Sequence, residues 1–286
     1  MLNLLTYLLT FLPWGVLNPL LSLLTYLRLL LWRKERTILF LNIEKIWGLP
    51  PHSSFAKSFA YQTLRSQAQI FAETIKAVYA ADILKVSGMD DFTRNLQTLE
   101  NSPVGSITIT AHVGNWEWVG RFSAEHSHGQ FYALAKKSRR PSVDRWIERL
   151  RSKMGVSILD AEAKSTLRRM IMILKNRDNL GFVMDQKPKG RQGPIVSFFK
   201  QATPFVSGPA MMAAKLEAPV LAVFCLREGP MQYRLLSEIL LPPGHSEKDI
   251  PTITQRFATK IEGIIRMYPE QWCWNYKRWR WENSEK

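Results

Sequence analysis

His112 and Glu117 close the run His112-Val113-Gly114-Asn115-Trp116-Glu117, which directly follows the strand-like stretch Ser106–Thr110. An imidazole held by a carboxylate is a general base for a hydroxyl. On one continuous helix, residues at this spacing diverge by roughly 140°, so the two side chains converge only if the chain turns between them. Gly114 permits that turn. It puts His112 on the loop leaving a strand and Glu117 in the first turn of the next helix, where the dipole tolerates a carboxylate. Taken alone, the pair fits a satisfied loop histidine beside a surface glutamate equally well, because the two residue types fall at short spacing by chance.

The elements that must position such a pair alternate between two periods. Strands are expected at Ser106–Thr110, Phe131–Ala135, Val156–Leu159, Gly181–Met184, Ile195–Phe199, Val220–Leu226 and Tyr233–Leu241. Helices fit Phe55–Leu84, Trp116–His126, Ser142–Lys153, Lys164–Lys175 and Phe205–Leu216, and a last long one carries the apolar stripe Ile253, Phe257, Ile261 and Ile264. The expected fold is α/β, a central mixed sheet flanked by helices. Pro and Gly mark loops at Gln186–Pro194 and Pro242–Gly244.

The first 27 residues hold no charged side chain and are rich in leucine; Arg28, Arg33, Lys34 and Arg36 follow. No basic region precedes this stretch, which argues against a cleaved signal peptide and for a membrane-associated segment. Its length allows a span, but Pro13, Gly15 and Asn18-Pro19 interrupt it, so a kinked span competes with an interfacial hairpin. The chain therefore divides into an anchor or hairpin over 1–36 and a catalytic domain over 37–286. The basic residues after the anchor place that domain on the cytoplasmic side.

A formal charge of +15 points to acidic partners. The densest cationic run is 136–153, with Lys136, Lys137, Arg139, Arg140, Arg145, Arg149, Arg151 and Lys153 against Asp144 and Glu148. It reads either as a solvated helix face or as an anion site, since arginine forks match phosphate oxygens. Aromatic residues do not interleave with it, apart from Trp146, so nucleic acid is not expected. The sequence holds no Gly-x-Ser-x-Gly elbow, no phosphate loop and no His-Glu-x-x-His helix. Two cysteines make no zinc or disulfide pattern, and Glu125, His126 and His128 read as solvated, so no metal is expected.

Four blocks in order carry a resemblance. They are His112–Glu117; Gly181-Phe182-Val183-Met184-Asp185-Gln186; Val196-Ser197-Phe198-Phe199 with Thr203 and Gly208; and Trp274-Asn275-Tyr276-Lys277-Arg278-Trp279. Together they resemble the late (lauroyl or myristoyl) acyltransferases of lipid A biosynthesis, part of a wider lysophospholipid-type acyltransferase group. The resemblance runs from about Arg28 to Trp281 and implies a glycerolipid-acyltransferase-like sheet. It also implies a bacterial inner-membrane enzyme that transfers a fatty acyl group from acyl carrier protein, or from acyl-CoA, to a hydroxyl of a phosphorylated lipid acceptor on an anionic membrane. It implies no cofactor.

In that reading His112 is the base and Glu117 orients it. Arg149 and Arg151 are candidates for lipid phosphates and the oxyanion, and Asp185 is a candidate for positioning a substrate hydroxyl or a neighbouring base. Asn115 and Lys136 complete the candidate substrate contacts. The chain departs from the family in having Tyr276 where a histidine is common, Lys200 where glycine follows the paired phenylalanines, and Lys136-Lys137 where Arg-Pro is common. These departures bear on the acceptor. The C-terminal Lys277, Arg278 and Arg280, among Trp272, Trp274, Trp279 and Trp281, read equally well as an interfacial anchor.

Overall fold

The computed structural model describes all residues except 1, 52, 80–82, 137, 139, 189–192 and 280–286. Helix α1 (Leu2–Phe11) turns at Leu12-Pro13 into α2 (Trp14–Leu31), and α3 (Arg33–Trp47) ends at Gly48, whose left-handed φ of 64° closes the helix. Of the breakers in the apolar segment, Pro13 divides it, whereas Pro19 lies inside α2. Helix α4 (Ser54–Tyr79) covers the expected helix up to Tyr79; 80–82 of the expected Phe55–Leu84 lie outside the described residues. Next along the chain are β1 (Lys85–Ser87), too short to show a period, and α5 (Met89–Leu99), whose buried Phe92, Leu96 and Leu99 lie at helical spacing though it is not among the expected helices.

Next come β2 (Ile107–Thr110), α6 (Trp116–His126), β3 (Phe131–Ala135), α7 (Pro141–Lys153), β4 (Ser157–Asp160), α8 (Thr166–Lys175) and β5 (Asn179–Val183). The hairpin β6 (Ile195–Phe198) and β7 (Gln201–Pro204) precedes α9 (Gly208–Leu216), β8 (Val220–Gly229), β9 (Gln232–Leu241) and α10 (Ile250–Met267).

Among the described residues, seven strands form one sheet in the order β1-β9-β8-β2-β5-β3-β4, parallel throughout except for the β8–β9 pair. The stretch expected as Ile195–Phe199 does not join it. As β6 it pairs antiparallel with β7, because Phe199 and Lys200 take left-handed φ angles of 54° and 59° and turn the chain back at once. The central strand β2 is buried along its whole length, as a parallel strand covered on both faces must be. Its register against β5 pairs Thr110 with Val183. Residues two steps beyond that pair, His112 and Asp185, therefore leave the same edge of the sheet side by side.

The apolar N-terminal helices pack on the domain. Leu9, Leu17 and Leu21 cluster with Ala72 and Ile75 of α4 and with Trp146 and Leu150 of α7. Polar ties reinforce the seam: Lys76 donates to the carbonyls of Thr10 and Leu12 at 2.5 and 3.0 Å, Gln69 to Asn18 Oδ1 at 2.7 Å, and the Trp146 indole to Thr6 Oγ1 at 3.0 Å. The opposite side stays apolar and exposed, at Phe11, Leu23, Leu24, Leu31 and Trp32 among others. Helix α2 is long and apolar enough to cross a membrane. An exposed apolar face of this extent marks a membrane-association surface.

The two faces give different expected outcomes on mutation. Leu17 is 1% exposed, so Leu17→Ala should cost about 2–5 kcal/mol of stability in denaturant unfolding of the detergent-solubilised protein. Leu24 is 51% exposed, and Leu24→Ala should stay within about 0.5 kcal/mol while weakening partition into vesicles.

Candidate active site

The turn after β2 is built on Gly114. Its φ is 60°, and a Cβ there would stand 2.2 Å from the carbonyl oxygen of Cys225 in β8. The same carbonyl accepts from the Asn115 N–H at 2.7 Å, and the Gly114 N–H donates to the carbonyl of Gln271 at 3.1 Å. Asn115 then caps α6, its Oδ1 accepting from the Trp118 N–H at 3.2 Å, while its Nδ2 donates to Thr74 Oγ1 at 2.9 Å. Both polar ends of this buried amide are spent on the fold. That makes Asn115 a builder of the turn, and it also lines the cavity beside His112.

His112 turns towards Asp185. Its Nδ1 lies 2.8 Å from Asp185 Oδ1, and its backbone N–H donates to the same oxygen at 2.9 Å. The other carboxylate oxygen, Oδ2, accepts from the Trp272 indole at 2.7 Å. In the neutral ring these bonds select one tautomer, with the proton on Nδ1 towards the carboxylate and the Nε2 lone pair facing the Gln186 amide nitrogen at 3.3 Å. Burial disfavours the imidazolium. The charge and hydrogen bond of Asp185, with the charge of Glu117, outweigh burial and raise the ring above its ordinary pKa, and Arg151 opposes them. Burial likewise pushes the Asp185 carboxyl up, but the His112 charge and the donors His112, Trp272 and the His112 backbone hold it below the usual carboxylate range.

Glu117 is bonded to Arg151, which grips it in a fork, with Nε to Oε2 at 2.9 Å and Nη2 to Oε1 at 2.6 Å. The carboxylate bonded to the ring is Asp185, where Glu117 was expected. Register explains the difference: the β2–β5 pairing delivers Asp185 to the ring, whereas Glu117 lies in the first turn of α6, where Arg151 of α7 bonds it. The two arginines expected to work together are also separated. Arg151 reaches the site, while Arg149 is exposed on α7, because helical positions two apart point to nearly opposite sides. Lys136 is exposed and paired with Glu162 at 2.8 Å.

A cavity of about 340 Å³ opens beside this cluster. Ile70, Phe71 and Ile75 of α4 and Trp146, Ile147 and Leu150 of α7 give it apolar walls, while His112, Glu117, Arg151 and Gln271 supply its polar side. A slot of this kind accepts a long apolar chain and brings its polar end to the imidazole.

The C-terminal segment straps the site from outside. Trp272 bridges antiparallel to Val113, and the Cys273 N–H donates to the His112 carbonyl at 3.1 Å. Asn42 of α3 donates to the carbonyls of Trp274 and Tyr276 at 2.7 and 2.8 Å, and the Tyr276 hydroxyl accepts from the Lys187 N–H at 3.1 Å. Trp272, Trp274, Trp279 and Arg278 are all buried, which rules out the interfacial reading for them; Arg280 and Trp281 lie outside the described residues. Arg278 lies over Phe205 at 4.6 Å and donates to the Pro204 carbonyl at 2.8 Å, and burial lowers it to about 10. Gln186, Gln271 and Trp272 escaped the reading by spacing. The Asp-Gln pair ending a strand was the available signal for Gln186, but nothing local announced the other two.

Comparison with known proteins gives two findings. The sequence profile described as bacterial lipid A biosynthesis acyltransferase matches residues 1–281. A phosphatidylinositol mannoside acyltransferase of Mycolicibacterium smegmatis is 26% identical over 242 residues, covering 83% of this chain and 77% of that protein. One of the same name from Mycobacterium tuberculosis is 22% identical over 249 residues, covering 85% and 77%.

Two outcomes test the geometry directly. Gly114→Ala should lower the melting temperature, because neither the left-handed φ nor the Cys225 carbonyl leaves room for a methyl group. In Asp185→Asn, the His112 ring should titrate at lower pH than in the parent, read by nitrogen NMR of labelled histidine, since the partner that favours imidazolium has gone.

Proposed function

The chain belongs to the bacterial lipid A biosynthesis acyltransferase family and is an acyltransferase, and from that premise we propose that it is a membrane-bound O-acyltransferase that carries a fatty acyl group from a thioester donor to a hydroxyl of a phosphorylated glycolipid. The observation that carries the reading is the His112 imidazole, held by Asp185 at 2.8 Å, on the polar side of an apolar cavity. The donor is an acyl carrier protein or acyl-CoA. A lipid A precursor is the acceptor that the family description suggests, and a phosphatidylinositol mannoside is the one that the relatives' names suggest.

The acyl chain lies between α4 and α7. The acceptor hydroxyl takes the place of the Gln186 amide at His112 Nε2 and gives its proton to that nitrogen as its oxygen attacks the thioester carbonyl. The ring charges while Asp185 stays ionised. Collapse of the tetrahedral intermediate breaks the carbon–sulfur bond, and the departing thiolate recovers the proton from Nε2–H. No acyl-enzyme forms. Glu117 acts through Arg151: it takes Nε and Nη2 and leaves Nη1 to meet the oxyanion. The exposed Arg149 and Lys136 are placed to meet an anionic membrane or an acidic donor.

His112→Ala should lower acyl transfer by about 10²- to 10⁴-fold with membrane association intact, and near-normal turnover would sink the assignment. Glu117→Gln should behave like Arg151→Gln in rate, while the acid limb moves to lower pH, because the Glu117 charge is one of those that raise the ring; if it instead abolished the base's titration, Glu117 would be the orienter after all. In the parent, kcat/KM should fall as pH drops through the His112 pKa, because the protonated ring cannot accept, and that limb should lie above the ordinary histidine value of about 6.5.

A further inference from the structure

Asp185 is a buried carboxylate, its side chain 3% exposed, with its two oxygens used differently. Oδ1 takes both bonds from His112, and Oδ2 takes the indole of Trp272. An indole N–H only donates, so this bond cannot reverse its direction when the proton moves. Trp272 is itself 1% exposed, stacked on Phe199 at 6.1 Å and edge-on to Trp274 at 4.7 Å. Its backbone bridges to Val113, and the next residue bonds the His112 carbonyl. The indole therefore cannot withdraw from Asp185 without moving the backbone that carries the histidine.

We propose that Trp272 is a positioning residue for the base, pinning Oδ2 of Asp185 so that the carboxylate offers one fixed oxygen to His112 and does not draw the ring proton towards itself. The proposal rests on His112 being the general base. A carboxylate oxygen stripped of its donor in a buried site becomes more basic. It would stabilise the imidazolium further, and less of the ring would be neutral at a given pH. The sign is opposite to that of Asp185→Asn, which removes the stabilising charge altogether. Among the described residues, the other charged or titratable groups around the pair are Glu117 of α6, Arg151 of α7, and Cys273 and Arg278 of the strap. All are unchanged by a substitution at 272.

The test uses the full-length protein in detergent. Trp272→Phe removes the donor at some loss of ring size. Replacement of Trp272 by benzothienylalanine, in which sulfur takes the place of the indole N–H, keeps the shape and serves if the phenylalanine variant does not fold. The expected result is a rate lowered about tenfold or more with the melting temperature of the benzothienyl protein near that of the parent. The acid limb of the pH profile should move to higher pH, by roughly half a pH unit or more. The His112 ring, followed by nitrogen NMR, should move the same way. That titration needs no substrate, so it reads the pin even where His112→Ala has overturned the functional reading. An unchanged ring titration in well-folded benzothienyl protein, or a shift to lower pH, would overturn the proposal.

Discussion

The parallel pairing of β2 with β5 is the constraint on which the site depends. Because Thr110 and Val183 are in register, the chain segments leaving the two strands place His112 and Asp185 at hydrogen-bonding distance without any long side chain having to reach. Parallel sheets put their ligand sites at the carboxyl ends of strands for the same reason. The rest of the structure holds that edge in place. Gly114 lets the backbone pass against Cys225, Asn115 starts α6, and the aromatic strap from Trp272 to Trp279 closes over the back of the pair.

Two ion pairs divide the work that a single histidine–glutamate pair seemed to imply. The His112–Asp185 pair sets the proton, and the Glu117–Arg151 pair sets a cation beside the cavity. Placed this way, the proposed base and the proposed oxyanion donor stand on separate supports: a strand edge for one, and the Glu117–Arg151 fork between α6 and α7 for the other. A preorganised cation costs no reorganisation when charge develops on the carbonyl oxygen. A separate buried cluster ties α4 to the β8–β9 hairpin. Glu73 accepts from Arg227 and from the Tyr233 hydroxyl, while Gln271 exchanges bonds with the Arg227 backbone. This cluster backs the turn that Asn115 fastens to Thr74 of the same helix.

Much of this was legible in the sequence because it is local. The strands flanking the histidine block, the Gly114 turn and helix α6 follow from periodicity and glycine, whereas Asn115 was expected at the substrate and its capping bond came only with the structure. Asp185 was legible as a candidate because it ends a strand, but its partner was not. Register between strands separated by more than seventy residues is set by the packing of the whole sheet. Glu117 misled for the complementary reason: spacing brought it near His112 in sequence, while helix direction turned it to Arg151. The tryptophan-rich C-terminus matched a membrane belt in composition, and only tertiary packing distinguishes a belt from a buried strap. β1 and β7 are too short to show a period, whereas α5 does carry a helical stripe, Met89, Phe92, Leu96 and Leu99, and was legible though not among the expected helices.

The central claim is direct transfer by one base, and mass spectrometry of both reactants tests it. Purified protein given an isotopically labelled acyl thioester and a phosphorylated glycolipid should return the glycolipid heavier by one acyl group in alkali-labile ester linkage, while the intact protein keeps its mass throughout. A glycolipid that gains no acyl group, or a protein that acquires the labelled acyl group before the acceptor does, would contradict the account.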